Sequence, residues 1–276
     1  MARRKQFGPA LPPAMKKARA AAARAARKAP KTLAGNVALI KSVIAREDET
    51  KFRSELIRDN FGLESQIVNS LANEDIHRLL PKLVQDQGHG ASYERVASKI
   101  SPRRLEVQAE ISLNEVTRST AVVVCYWVLQ HKEIKQTSSL GSINLGALLR
   151  TGDDSNLQNF NGFSQDAMLP VNTAKFTVLK KGRFMLGKNT GDIQNDTSAG
   201  NQPIAQAIHK TLKFTLKCPK VLTYEQDENT PRTVYYPSGY APFMLVGYYH
   251  QDQTTPDTEN QDIRMTLRSN LWYDDA

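Results

Sequence analysis

No Asp or Glu precedes Glu47, while 12 Lys or Arg do, and a run of one charge that long cannot collapse on itself without strong repulsion. Of the 37 basic residues, 25 lie after Arg46 against all 28 acidic ones, so the body is net −3 and the formal +9 belongs to the leader. The chain therefore divides into a basic arm, residues 1–46, suited to neutralising a polyanion, and a body, residues 47–276, that carries it. A body of about 230 residues suits one large all-β domain as well as it suits two small ones.

Arg3, Arg4 and Lys5 open the arm, Pro9, Pro12 and Pro13 interrupt it, and residues 14–29 read as an Ala-rich helix stopped by Pro30. Lys17, Arg24 and Lys28 align on one side of that helix, flanked by Lys16 and Arg27, while Ala fills the other. Ala offers no large apolar face, which disfavours a membrane-surface helix. A solvated tail without a partner is the bland alternative. Charge of one sign confined to one end favours nucleic acid, and the expected contacts are Arg3, Arg4, Lys5, Lys16, Lys17, Arg19, Arg24, Arg27, Lys28 and Lys31. The same basic pairs can be read by nuclear import receptors, as any basic arm can. No stretch of about 18 apolar residues occurs, so no membrane insertion is expected. Cys125 and Cys218 lie in apolar alternating runs and read as reduced core residues, with a single bridge between them as the alternative.

The body is patterned for strands. Residues 104–113 place Leu105, Val107, Ala109, Ile111 and Leu113 on one face and Arg104, Glu106, Gln108, Glu110 and Ser112 on the other. Residues 121–129 are apolar on both faces, as a strand covered on two sides would be. Alternation recurs at 50–57, with Phe52 and Leu56 inward and Lys51, Arg53 and Glu55 outward, and again at 211–218, 240–249 and 263–273. Residues 175–179 and 183–186 read as a hairpin turning through Lys180, Lys181 and Gly182. Helical spacing returns only in 63–83, where Asn73 starts and Pro81 stops a helix. The stretch 131–167 is polar and long enough to predict a contact surface or lid. Eight antiparallel strands with long connections predict a single jelly-roll β-sandwich, preceded by a disordered or partly helical basic arm.

Catalytic signatures are missing. The five histidines follow no metal-ligand spacing, there is no Walker loop, nucleophile elbow or dinucleotide fingerprint, and no catalytic residue, metal site or cofactor is expected. Asp252, Asp257, Glu259 and Asp262 could hold calcium between subunits but lack the spacing of a calcium loop.

The segment "IHRLLPKLVQDQGHGASYERVASKISPRRLEVQAEISL", residues 76–113, resembles the capsid protein of circovirus-like viruses, whose small circular single-stranded DNA genomes encode a replication-initiation protein. The resemblance is carried by Leu79, Leu80 and Pro81, then Gln87, Gly88 and Gly90, Arg95, and the "KISP" at 99–102. "ETK" at 49–51, "FTVLKKGRFML" at 176–186 and "WYDD" at 272–275 follow in the family's order. The resemblance implies a jelly roll with strands B to I, in which B, I, D and G share one sheet. It puts Lys51 and Arg53 on B, Lys213 and Lys217 on G, and Arg264 and Arg268 on I, a basic face expected to supplement the arm on nucleic acid. The alternative for those residues is ordinary solvated or inter-subunit charge. The function implied is a self-assembling icosahedral shell of about 60 subunits around single-stranded DNA, found in the virion and, during assembly, in the host nucleus. A cell-surface receptor is a further implied partner. The competing readings are a non-capsid nucleic-acid-binding β domain and the coat of a small single-stranded RNA virus, since nothing in the residues senses a 2′-hydroxyl.

Overall fold

Alternation alone gives strands two faces, and the partners of each strand decide which face is buried. The computed structural model describes residues 50–68, 75–85, 94–113, 121–152, 156–187, 208–224, 235–251 and 263–275. The arm with its expected helix, the helix start at Asn73, the turn at Gly88 and Gly90, and the four loop acids lie outside them. The contacts of the chain divide it between Glu49 and Thr50, three residues past the boundary drawn from charge.

In chain order the strands are β1 (Lys51–Leu63), β2 (His77–Arg78), β3 (Lys99–Leu113), β4 (Val122–His131), β5 (Leu149–Arg150), β6 (Leu157–Gln158), β7 (Phe176–Leu186), β8 (His209–Leu216), β9 (Leu222–Thr223), β10 (Pro242–His250) and β11 (Ile263–Asp275). One sheet runs β1-β11-β3-β8, with β9 added beside the start of β3; the other runs β2-β10-β4-β7. All of these pairings are antiparallel, and the two sheets pack as a sandwich.

Between the sheets, Leu105, Val107, Ala109 and Ile111 of β3 and Met265, Leu267 and Leu271 of β11 share a core with Val122, Val124 and Val128 of β4 and Met244, Val246 and Tyr248 of β10. A second core lies on the other side of β4 and β10. There Cys125, Trp127, Leu129, Phe243 and Leu245 are roofed by Ile143, Leu145, Leu148, Leu149 and Phe160, joined by Ile67. The long polar stretch is thus a lid on its own sheet, with 3-10 turns at Thr137–Ser142, Leu145–Ala147 and Asp166–Met168. It explains why β4 is apolar on both faces. Gly247 makes the lid fit: a Cβ there would stand 2.7 Å from the Phe160 ring.

Two expectations fail. Residues 176–186 form one continuous strand, because Gly182 is a clearance and no turn: a Cβ at that position would meet the Tyr126 hydroxyl at 2.6 Å. Where it is described, the segment expected to be helical is extended. Leu79 and Leu83 donate their backbone N–H groups to Pro242 O and Tyr235 O, and adjacent Leu79 and Leu80 are both buried, so tertiary pairing overrides local spacing. Both cysteines are unpaired, and burial pushes their thiols up to about 12 for Cys125 and about 11 for Cys218.

Gly247→Ala should lower stability by ~1–3 kcal/mol, read from the urea midpoint, since Phe160 must give way. A pH-dependent test concerns Asp75, whose carboxyl accepts from Val68 N–H at 2.8 Å and is pushed up to about 7, chiefly by burial, with Glu64 adding to the rise. The folded pKa exceeds the ordinary 3.8, so the ionised group costs stability. That cost is absent below the unfolded value, grows as pH rises, and is complete above the folded one. Asp75→Asn, which still accepts from Val68, should match wild type at acid pH and exceed it by ~1 kcal/mol in mildly alkaline buffer, measured by denaturation at both.

Candidate nucleic-acid interface

The lid covers the outer side of the β2-β10-β4-β7 sheet, whereas the outer side of the β1-β11-β3-β8 sheet has no such cover among the described residues. Register builds that face in rows. Phe52, Trp272 and Arg104 form the first, Ser54, Asn270, Glu106 and Thr215 the second, and Leu56, Arg268, Gln108 and Lys213 the third. Phe52 packs on Trp272 with ring centroids 4.9 Å apart and a 41° tilt, and the Arg104 guanidinium lies 5.3 Å from the Trp272 ring centre. Glu106 is buried because two cations cover it: Arg104 makes an ion pair with one carboxylate oxygen, and Lys213 with the other at 3.1 Å. Arg268 is exposed beside Leu56 and makes no ion pair among the described residues.

Of the residues expected to touch nucleic acid, Lys213, Lys217 and Arg268 are exposed, Lys213 and Arg268 on this face and Lys217 one residue past β8. Arg264 shares the face but is partly buried, its guanidinium donating to Asn60 O at 3.1 Å. Asn60 holds a positive φ of 45° at the second of two irregularities in the β1 edge. Arg3, Arg4, Lys5, Lys16, Lys17, Arg19, Arg24, Arg27, Lys28 and Lys31 lie outside the described residues.

Lys51 and Arg53 are not on this face, which corrects the expectation. β1 is inverted relative to its pattern: Phe52 and Leu56 stand 44% and 43% exposed, while Lys51 and Arg53 pair with the core residues Tyr273 and Leu271 and point to the core side. The reason is position. At the sheet edge the inner side of the first half of β1 lies past the apolar core, which Ile57, Phe61 and Leu63 reach further along, and polar contacts close the gap. Lys51 Nζ reaches Asp275 at 2.6 Å and Glu94 O at 2.7 Å, Glu55 receives Arg78 at 2.8 Å, and Arg58 donates to His77 Nδ1 at 3.2 Å. Asp275 also accepts from Val96 N–H, and Asp274 binds Thr50 and Arg103. Arg95, from the motif that carried the resemblance, is 1% exposed over the Tyr224 ring. Burial pushes its pKa down, against the pull of Tyr224, Asp275 and Tyr273. Lys51 and Arg95 are thereby tied into the body, whereas Arg103 keeps 56% of its side chain exposed beside Asp274.

Two buried histidines are held by the fold. His131 accepts two backbone N–H bonds, from Glu133 and Ile134, and burial lowers its pKa. Burial, assisted by Arg58, holds His77 down at about 3, so it stays neutral at physiological pH. Among the described residues no group of three His, Cys, Asp or Glu side chains is placed to hold a metal, and no helix is long and apolar enough to cross a membrane. A groove of about 660 Å³ is lined by Glu133, Ile134, Lys135, Ser139 and Gly239.

No protein-family model matches this sequence, and no curated protein matches it. Among solved structures, one described as PNGF-II in the P21 space group covers 86% of this chain at 9% identity and a TM-score of 0.35. The chain spans 36% of that structure's length, and a likeness this faint bears on neither fold nor activity.

The two sets of cations should separate by denaturation. Lys51→Met leaves Asp275 mostly buried without its main partner and should cost ~1–3 kcal/mol. Arg268→Met, at an exposed cation that makes no ion pair among the described residues, should stay within ~0.5 kcal/mol of wild type.

Proposed function

We propose that the chain is a coat protein: an eight-stranded jelly roll that meets copies of itself to form a closed shell, with residues 1–46 neutralising a packaged single-stranded nucleic acid. The observation that carries this reading is the strand order. β1-β11-β3-β8 packed against β2-β10-β4-β7 puts strands from both ends of the body into each sheet, which supports a double Greek-key connectivity. The division of charge agrees with it, a leader of 12 cations and no acid before a body of net −3. Contact through phosphates makes binding steeply salt-dependent and nearly blind to sequence. DNA is the cargo implied by the motifs between Leu79 and Pro102; RNA would satisfy the same charges.

Electron microscopy of the purified protein should reveal closed isometric particles, with nuclease-protected nucleic acid extractable from them. Removing residues 1–46 should leave a folded body that still associates but packages no nuclease-protected nucleic acid. The salt slope of oligonucleotide binding should flatten by about 0.7 for every phosphate that the shortened chain no longer neutralises. A body that stays monomeric at every ionic strength, or that fails to fold without the arm, overturns the proposal.

A further inference from the structure

We infer that the Phe52–Trp272–Arg104 row is a base-stacking step, on which a nucleobase of single-stranded nucleic acid lies while the neighbouring cations take its phosphates. The inference rests on the proposed nucleic-acid function and adds a second mode of contact to it.

The first half of β1 turns Phe52 and Leu56 outward and Lys51, Arg53 and Glu55 inward, the reverse of what burial favours, so Phe52 and Leu56 stand nearly half exposed beside partly exposed Trp272. An exposed aromatic pair on a sheet face marks an interaction surface. The chemistry around it selects the occupant. Arg104, Arg264, Arg268 and Lys213 share this face with three acids, Glu106, Glu110 and Asp274, of which Glu106 is already shared between Arg104 and Lys213 and Asp274 is paired with Arg103. A cationic surface of this kind does not complement a second copy of itself. It complements a ligand with flat π faces and negative charge at regular intervals. Phe and Trp present faces that any base can cover, Arg104 is held over Trp272 by Glu106, and consecutive rows lie about 6.6 Å apart along the strands, which places Arg268 two rows away. Because every base has a π face, such a step is tolerant of sequence.

Tryptophan emission reads the step directly. Of the two tryptophans, Trp127 is 5% exposed under the lid, so quenching by a ligand on the sheet face reports Trp272. Full-length protein freed of bound nucleic acid would be titrated with a short oligothymidylate and with inorganic polyphosphate, which carries the charge without bases. Oligothymidylate should quench the emission and polyphosphate should not, and Trp272→Phe should abolish the quenching while binding stays within about twofold. Trp272→Ala should weaken oligothymidylate binding by about 5- to 10-fold and leave polyphosphate binding unchanged. Should that variant fold poorly, Phe52→Ala on the edge strand serves instead, with the same expected split. Equal losses for both polyanions, or tight oligothymidylate binding without quenching, overturns the stacking step and leaves the charge-based reading intact. Failure to bind either polyanion overturns both. Protection of Trp272 from acrylamide on self-association without nucleic acid would place a neighbouring copy on the face and overturn the step as well.

Discussion

The body of this protein is closed by its last strand. β11 lies between β1 and β3 and pairs with both along nearly its whole length, so the sheet opposite the lid-covered one is incomplete until residues 263–275 arrive. Without β11, β1 has no partner in that sheet, and the core side chains of β3 are deprived of Met265, Leu267 and Leu271. Pairings of such sequence separation make folding slow, because the loop entropy is given up before they form. They also make the sandwich cooperative. The ion pairs of Lys51 with Asp275 and of Arg103 with Asp274 lie where first and last strands meet, and a slip of either strand would bury unpaired charge.

That closure decides which surfaces are free to meet a ligand. The β2-β10-β4-β7 sheet has an apolar outer side that must be covered, and the segment between β4 and β7 covers it from within the same chain. Gly247 removes the side chain that would hold Phe160 off, so roof and sheet meet at van der Waals distance. The other sheet needs no roof, since its outer side is mostly polar and its buried acids Glu106 and Asp274 are paired in place. Among the described residues its apolar group is Phe52, Leu56 and Trp272, which survives in solvent because the inner side of the first half of β1 is taken up by polar closure. Structure at the edge and chemistry on the face therefore have a common origin.

This coupling also marks where the sequence is legible. In 104–113, 121–129, 211–218 and 263–273 the pattern assigns the faces correctly, because each of these strands has its inner side over the shared core. β1 is misassigned for the opposite reason: alternation names two faces, and only position in the sheet says which one meets apolar neighbours. β2 is two residues long and is fixed by β10, a partner that local spacing cannot see. Gly182 reads as a turn because glycine permits turns, while its actual role, room for the Tyr126 ring, depends on a residue in another strand. The expected total of eight strands thus agrees with the eight of the two four-strand paths only through two offsetting errors, a hairpin that is one strand and a helix that contains another. The basic positions Arg264, Arg268 and Lys213 follow from parity. The aromatic row does not, since Phe52 and Trp272 come from opposite ends of the body and each looks like core.

On the proposed reading, two kinds of contact act on one polymer, and they differ in how they respond to ions. The twelve cations of the arm act through phosphate charge, which falls away as counterions compete. Stacking on Phe52 and Trp272 is short-ranged and involves no counterion release, so its share of the binding energy grows as salt rises. A polymer held only by the arm would be held anywhere along its length. One that also rests a base against a fixed ring is held at a defined place on the body, and repetition over many subunits would impose the symmetry of the assembly on a stretch of otherwise unordered chain. Sequence-blind charge gathers the polymer, and a few sequence-tolerant rings can order it, without any residue having to read a base edge.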